Sequence, residues 1–342
     1  MSSFTLAIYL RSSSKIMPNK YNESRRHHFK KPTYRQTNYA EYNQSLRYRG
    51  RIDIWLSDDI IENWQTEQRS YDGTGSSPKY PDSTLMACHY LRLVFKQPLR
   101  QTQGFLDSLL KEMGHTNLSC PDFSCLSKRL SKLGFKTPKF KKTDKPDEDL
   151  AAIAIDSTGL KEFGKGEWHQ EKHKVNAKRS WKKAHFAVGG EHIIHGAILT
   201  KKDTMDFQVI EELSEQVDVE VDHVSADKMY DTDDVYDALT SKFPESDIAI
   251  PPKENLYADD AHNPKRMSNL VAYSALGPMC WQKINQYGKR NVSENAMHRY
   301  KTIIGPKLHS RDFENQQQEL MLGASILNRF TQFGMPESYR VA

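Results

Sequence analysis

Two aspartates follow predicted strands and are the first candidates for chemistry. Asp156 follows the apolar run at residues 151–155, and Asp227 follows the predicted strand at 219–226. A carboxylate is costly to bury in a sheet, so strand-end aspartates often face a cleft where a cation offsets their repulsion. Mg²⁺ and Mn²⁺ prefer such oxygen ligands, and two ions roughly 3.5–4 Å apart can promote phosphoryl transfer. Either aspartate alone is more often a helix cap or a turn residue.

A third carboxylate, Glu294, stands between two cations on a predicted helix. Arg290, Glu294 and Lys301 are at positions i, i+4 and i+11, and Tyr287 precedes them. Those offsets place all three charged side chains near one helix face. Such a carboxylate can hold a metal ion while the cations hold phosphates. The other interpretation is an exposed Arg–Glu pair, which is common on helices.

The elements that must position these residues fall into two predicted regions. Apolar residues at helical spacing predict short helices over 51–136. A charged, proline-containing segment at 137–149 is typical of a linker. Residues 150–335 alternate strand and helix patterns, which predicts an α/β domain with a mixed sheet. Within that domain, the polar residues 251–286 predict a short, irregular insert.

The last predicted helix of the first region has a basic face. Lys128, Arg129 and Lys132 lie opposite the apolar positions of the same helix. Three short helices ending in a basic one predict a helix-turn-helix-like, DNA-binding module. A plain packing or dimerisation subdomain would give the same apolar pattern.

Charge is distributed unevenly along the chain. The net charge is +5, but residues 1–50 carry ten Lys and Arg against Glu23 and Glu41, so that segment alone is +8. We predict a disordered basic arm over 1–50, which suits a polyanionic partner because each cation can displace a phosphate counterion. A solvated tail without a partner is the alternative.

Composition excludes two other classes of protein. Four cysteines do not make a disulfide framework at a length of 342 residues. No stretch approaches the roughly eighteen apolar residues that a membrane span needs. We therefore expect free thiols, a reducing, cytoplasmic setting and no membrane partner.

The spacing around Glu294 also carries a family resemblance. Two, three and six residues separate Tyr287, Arg290, Glu294 and Lys301, which matches the Tyr-Arg-Glu-Lys signature of DDE transposases of bacterial insertion sequences. The chain resembles the IS4/IS5 type, and especially the IS5 family, from about Arg49 to the C-terminus. Further matching motifs are Pro121-Asp122-Phe123-Ser124, Asp156-Ser157-Thr158-Gly159, Phe313-Glu314-Asn315-Gln316, Leu327-Asn328-Arg329 and Gly334-Met335-Pro336.

This resemblance implies a ribonuclease H-like catalytic domain that follows an all-helical region. It implies that Asp156, Asp227 and Glu294 hold two Mg²⁺ or Mn²⁺ ions. Arg290 and Lys301 would contact phosphates near the cut end, and Tyr287 would position a terminal base. The implied partners are double-stranded DNA, as terminal inverted repeats and as target, and further copies of the chain. The implied activity is hydrolytic cleavage followed by attack of the freed 3′-hydroxyl on target DNA.

One residue departs from the family pattern. A small Gly or Ala usually stands two residues after the second aspartate, where this chain has Met229. Two other functions stay open, and Met229 bears on the second of them. One is a metal-dependent nuclease that cuts without joining, and the other is a non-catalytic DNA-binding protein derived from a transposase.

Overall fold

The computed structural model describes residues 33–65, 79–140, 152–162, 181–253 and 261–341. Residues 1–32 of the predicted arm and residues 141–149 of the predicted linker lie outside these ranges.

A five-stranded mixed sheet forms the centre of the molecule. Strand β2 lies in the middle, paired antiparallel with β3 on one side and parallel with β5 on the other. The sheet order is β4-β3-β2-β5-β6, and β6 is parallel to β5. An antiparallel meander of three strands, followed by two strands parallel to the first, is a ribonuclease H-like arrangement. The strands are β2 (Ala152–Lys161), β3 (Trp181–Gly189), β4 (Ile194–Lys201), β5 (His223–Ala226) and β6 (Asp247–Ala249).

Helices cover both faces of this sheet, because alternate residues of the central strands are apolar on each side. Four helices of the second half of the chain provide this cover. On one face, Phe186 packs with Tyr300 in a core that also takes in Leu320. On the other face, Ile155 shares a core with Leu239. The helices are α6 (Ile210–Glu215) and α7 (Asp233–Lys242) on the second face, and α9 (Asn291–Ile303) and α10 (Phe313–Phe333) on the first.

The predicted helices of the first half are present, and they join the same core as the first face of the sheet. Helix α10 connects the two parts. Its Glu319 forms a buried ion pair with Arg92 at 3.6 Å. At its other side, the Asn328 side chain exchanges hydrogen bonds with both backbone groups of Ile194 on β4. The helices concerned are α2 (Asp58–Glu62), α3 (Asp82–Val94), α4 (Leu99–Glu112) and α5 (Phe123–Arg129).

The prediction of disorder over 1–50 is wrong for residues 33–50. Thr33–Gln36 forms strand β1, which pairs with β7 (Ser338–Val341), and Tyr39–Arg49 forms helix α1. The Ser45 hydroxyl and the Arg49 guanidinium both donate to the Gly334 carbonyl, at 3.3 and 3.2 Å. This segment is ordered by contacts with the far end of the chain, which no local pattern reveals.

The prediction of an irregular insert over 251–286 is also wrong for most of its length. Pro264–Ile284 forms helix α8, which is interrupted at Gly277, where φ is 72°. The Asn263 side chain caps the helix by accepting from Lys265 N at 2.9 Å. Residues 254–260 lie outside the described ranges. In the part of the chain that the structure describes, no helix is long and apolar enough to cross a membrane.

Candidate active site

Asp156 lies within a strand and not at its end, which corrects the sequence prediction. Strand β2 continues for five residues beyond it, to Lys161. The Asp156 side chain faces α9, and its Oδ1 accepts a hydrogen bond from Ser157 N at 2.8 Å. It is only 13% exposed. The first carboxylate of the site is therefore held on the central strand of the sheet, which is paired on both sides.

Asp227 lies close enough to Asp156 for its charge to raise the pKa of Asp156. Strand β5 is parallel to β2, and its last residue, Ala226, is in register with Ile155. Asp156 thus occupies the next position on β2, and Asp227 directly follows the end of β5. Asp227 itself begins a short 3₁₀ turn, Lys228–Tyr230. Two carboxylates side by side repel each other, and a cation can offset that repulsion.

Glu294 is linked to Asp156 through Arg290. The Arg290 Nη1 donates to Asp156 Oδ2 at 2.5 Å, and its Nη2 donates to Glu294 Oε1. Arg290 ends a 3₁₀ turn, Tyr287–Arg290, that leads directly into α9. The Ser293 hydroxyl, one residue before Glu294, lies 3.5 Å from Asp156 Oδ2. One guanidinium therefore bridges two of the three predicted carboxylates.

The charges of the three carboxylates act on one another. Burial raises the pKa of Asp156, against the opposing effects of Ser157 N–H and Arg290, and the charges of Asp227 and Glu294 raise it further. Burial likewise raises the pKa of Tyr287 to about 12. The Tyr287 ring lies 5.6 Å from that of Trp281 and below the Arg290 guanidinium. This electrostatic environment favours a bound cation.

The donor set fits a divalent ion in its chemistry, because three carboxylates supply the hard oxygen ligands that Mg²⁺ and Mn²⁺ prefer. The arrangement, however, is not that of a finished metal site. Among the described residues, no three carboxylate, imidazole or thiol groups converge on one point. Arg290 lies between Asp156 and Glu294, and the Glu294 side chain is 54% exposed. An ion held by both carboxylates would have to replace the guanidinium.

Comparison with family models shows which protein family the chain belongs to. Two family models described as a transposase DDE domain match it, one over residues 47–165 and one over residues 147–329. The second covers more than half of the 342 residues and contains all three carboxylates. The chain belongs to the DDE transposase family.

A search of solved structures gives a much weaker likeness. A chain of the solved structure of the Drosophila P element transposase strand transfer complex has 10% sequence identity with this chain. The alignment covers 88% of this chain and 89% of that one. The TM-score is 0.25, which does not establish a common fold. The ribonuclease H-like assignment rests on the strand order and directions given above.

The predicted DNA-contacting residues of the transposase lie in two places. Lys301 is on α9, about two turns beyond Glu294, and is partly exposed. Lys128 and Lys132 are exposed at the end of the first helical region. Arg129 is engaged within the protein, because it donates to the Tyr80 carbonyl at 2.6 Å and pairs with Asp82 at 2.7 Å. Lys128 and Lys132 are therefore more available to a ligand than Arg129.

Met229, the departure from the family pattern, is exposed. It lies in the 3₁₀ turn after Asp227, and 53% of the residue is accessible. Its neighbour Tyr230 is buried instead, and burial raises the pKa of that phenol well above its usual value, with further increases from Asp206 and Asp156. Sequence reasoning assigned no role to Ser293, and its position next to Glu294 was the available signal.

Proposed function

We propose that this protein is a transposase of an IS5-type bacterial insertion sequence. It would bind the terminal inverted repeats as an oligomer, cut the DNA by metal-dependent hydrolysis and join the 3′-hydroxyl ends to target DNA. The observation that supports this most directly is the placement of Asp156 on β2 and of Asp227 directly after the parallel strand β5, with Glu294 linked to Asp156 through Arg290. The Tyr-Arg-Glu-Lys spacing supports the insertion-sequence subtype.

In this proposal Asp156, Asp227 and Glu294 hold Mg²⁺ or Mn²⁺. A pair of such ions would supply activation of the attacking oxygen and stabilisation of the leaving oxygen. The ribonuclease H-like sheet contributes rigidity, since two of the three carboxylates are attached to paired strands. Precise placement of the reacting groups accounts for a large part of the rate acceleration in enzymatic phosphoryl transfer.

The cations of the site would handle the DNA strand. Arg290, with its planar guanidinium, is suited to bidentate contact with a phosphate once it leaves the carboxylates. Lys301 lies further along α9 and would contact a neighbouring phosphate. Tyr287 would position a terminal base, because its ring is held against Trp281. Lys128, Arg129 and Lys132 would bind the repeat outside the catalytic site.

Strand-transfer assays with pre-cut ends test this function. We expect Asp156→Asn, Asp227→Asn and Glu294→Gln each to abolish cutting and joining while binding of the terminal repeat persists. Asp222→Asn is the matched control, because Asp222 is an exposed carboxylate at the opposite end of the same strand β5. Magnesium-dependent joining retained in any of the three variants would reject the assignment.

The same assays separate the two other functions. A nuclease that does not join would cleave end-containing DNA but give no product from pre-cut ends. A non-catalytic DNA-binding protein would do neither, and the three substitutions would then have no effect beyond binding. Only joining by the unmodified chain supports the proposal.

A further inference from the structure

A charged cavity opens beside α9, outside the carboxylate site. It has a volume of about 380 Å³ and lies between α1, the β3–β4 turn, α9 and the chain that follows α10. Its polar lining includes Tyr42, Arg49, His192, His298, Arg299 and Thr302. None of these groups is a carboxylate, and none has a role in the site described above.

Two cations of this cavity lack a counter-charge. Arg299 Nη2 donates to the Thr331 hydroxyl at 2.9 Å, and Arg49 Nη2 donates to the Gly334 carbonyl at 3.2 Å. In the described part of the chain, neither guanidinium forms an ion pair. Burial lowers the pKa of Arg299 to about 10, and the nearby charge of Arg49 contributes to that decrease. Two positive charges close together in a half-buried cavity repel each other, and a bound anion would offset that repulsion.

Two polar atoms of the cavity are also left without a partner. Arg49 Nε and His192 Nδ1 are buried and have no hydrogen-bond partner among the residues that the structure describes. Buried polar groups are nearly always hydrogen-bonded. Because Arg49 Nε can only donate, it indicates a missing acceptor.

We propose that this cavity, the Arg49–Arg299 pocket, binds a phosphate group of the DNA backbone. A phosphate offers several acceptor oxygens, and guanidinium groups match it with paired hydrogen bonds. The assignment to DNA rests on the proposed function. The pocket itself rests on the cavity, its charge and the unused donor of Arg49.

The pocket is positioned so that a DNA strand bound in it can also reach the carboxylate site. Arg299 follows Glu294 by five residues on α9, which is about 7.5 Å along the helix axis. Asn295, His298, Arg299 and Thr302 share a helix face that adjoins the face of Glu294. One DNA strand can therefore contact both sites at once.

Thermal unfolding of the full chain in inorganic phosphate tests the pocket. At constant ionic strength, replacing chloride by phosphate should raise the Tm of the unaltered protein by about 2 °C or more, because phosphate binds only the folded state. Arg299→Met should abolish this rise. His298→Glu should do the same, and it changes an exposed side chain at the rim, so folding is preserved. Arg47→Met, which removes an equal charge from the exposed side of α1, should keep the rise.

The salt dependence of duplex binding tests the DNA assignment. Each phosphate contact contributes about 0.9 to the slope of log K against log salt concentration. We expect Arg299→Met and His298→Glu each to reduce that slope by about one, and Arg47→Met to change it less.

Each result has a separate meaning. A phosphate-dependent rise in Tm that persists in both pocket variants would overturn the pocket. If the pocket variants lose the phosphate-dependent increase in Tm but keep the salt dependence of duplex binding, the pocket binds free phosphate. That result would overturn its assignment to DNA. If the unaltered chain binds no duplex, the proposed function and the DNA assignment both fail, whereas the phosphate measurement still supports or rejects the anion pocket.

Discussion

Arg290 connects two carboxylates that would otherwise repel each other. Its guanidinium pairs with Asp156 and Glu294, and both Asp156 and Arg290 are largely shielded from solvent. In the absence of a divalent ion, the arginine offsets negative charge at the site. It therefore competes with any ion that needs the same oxygens.

From this competition we predict the effect of Arg290→Gln on metal binding. Mn²⁺ affinity of the DNA-free protein should increase several-fold, because the substitution removes a cation in direct contact with two ligand candidates. Titration calorimetry with Mn²⁺ measures the change. Arg290→Lys keeps the charge and serves as the control, with a smaller expected increase. Weaker Mn²⁺ binding by Arg290→Gln would mean that the arginine organises the carboxylates and does not compete.

How far the sequence predicts this site depends on the kind of contact. Asp156 and Asp227 are candidates because predicted strands precede them, and Glu294 is one because its neighbours have a distinctive spacing. The bridge from Arg290 to Asp156 could not be found, because it joins residues 134 positions apart. Whether an arginine pairs with its helix neighbour, with a strand or with a ligand is decided by packing.

Among the elements, α3 and α5 are joined through a buried histidine. His89 Nε2 donates to the Leu126 carbonyl at 3.2 Å, and its Nδ1 lies 3.4 Å from Arg92 Nη1. Burial lowers the pKa of His89 to about 3, and the charge of Arg92 lowers it further. The folded protein therefore keeps this histidine neutral, whereas the unfolded chain protonates it near pH 6.5.

This difference predicts a loss of stability in acid. Below pH 6.5 the unfolded chain takes up a proton at His89 that the folded protein does not bind. The free energy of unfolding therefore decreases as the pH falls from 6.5 toward about 3. His89→Gln should reduce the slope of unfolding free energy against pH by up to about 1.4 kcal/mol per unit between pH 6 and 4. Urea titrations at several pH values measure it. The exposed His262→Gln is the control, and equal slopes for both variants would contradict the prediction.

Helix α8 depends on a buried ion pair with the turn that follows Asp227. Arg266 Nε donates to Asp231 Oδ1 at 2.8 Å, and Nη1 donates to Asp233 Oδ2 at 2.9 Å. The Asp231 side chain is fully buried and that of Arg266 is 7% exposed. The sequence prediction missed α8 because its anchoring groups are polar and its Gly277-Pro278 break resembles a loop.

We predict that Arg266→Met lowers the unfolding free energy by about 3–5 kcal/mol, because it leaves Asp231 buried without its cation. The double variant Arg266→Met with Asp231→Asn should recover part of that loss, since the uncompensated charge is then removed. Urea denaturation measures both. Lys283→Met, an exposed change in the same helix, is the control. Additive losses in the double variant would show that the pair itself is not responsible.

At the scale of the whole molecule, the two ends of the described chain pair with each other. Strand β1 pairs with β7, and the Asn38 side chain donates to the Met335 carbonyl at 2.9 Å. Composition predicted a basic arm here, but composition does not reveal that residues 33–49 have a partner about 300 positions away. The fold class was predictable because strand and helix patterns are local, whereas this closure is not.

The basic charge near the N-terminus therefore divides into two parts with different effects. Residues 1–32 hold seven Lys and Arg against Glu23, while Arg35, Arg47 and Arg49 belong to the ordered segment. Deleting 1–32 should reduce the slope of log K for DNA binding against log salt, by up to about six. Deleting 1–50 should also lower Tm relative to the shorter deletion, because it removes β1 and α1 from the end of α10.

Thermal unfolding and a salt titration of duplex binding on both deletions separate these effects. The full-length variant Lys30→Gln/Lys31→Gln is the charge control, and it should reduce the slope by up to about two without loss of chain. A slope that is unchanged when 1–32 is removed would exclude the arm from the DNA interface. Equal Tm values for the two deletions would contradict the role of β1 and α1, because burying Ser45 against Gly334 would then add nothing to the stability of the fold.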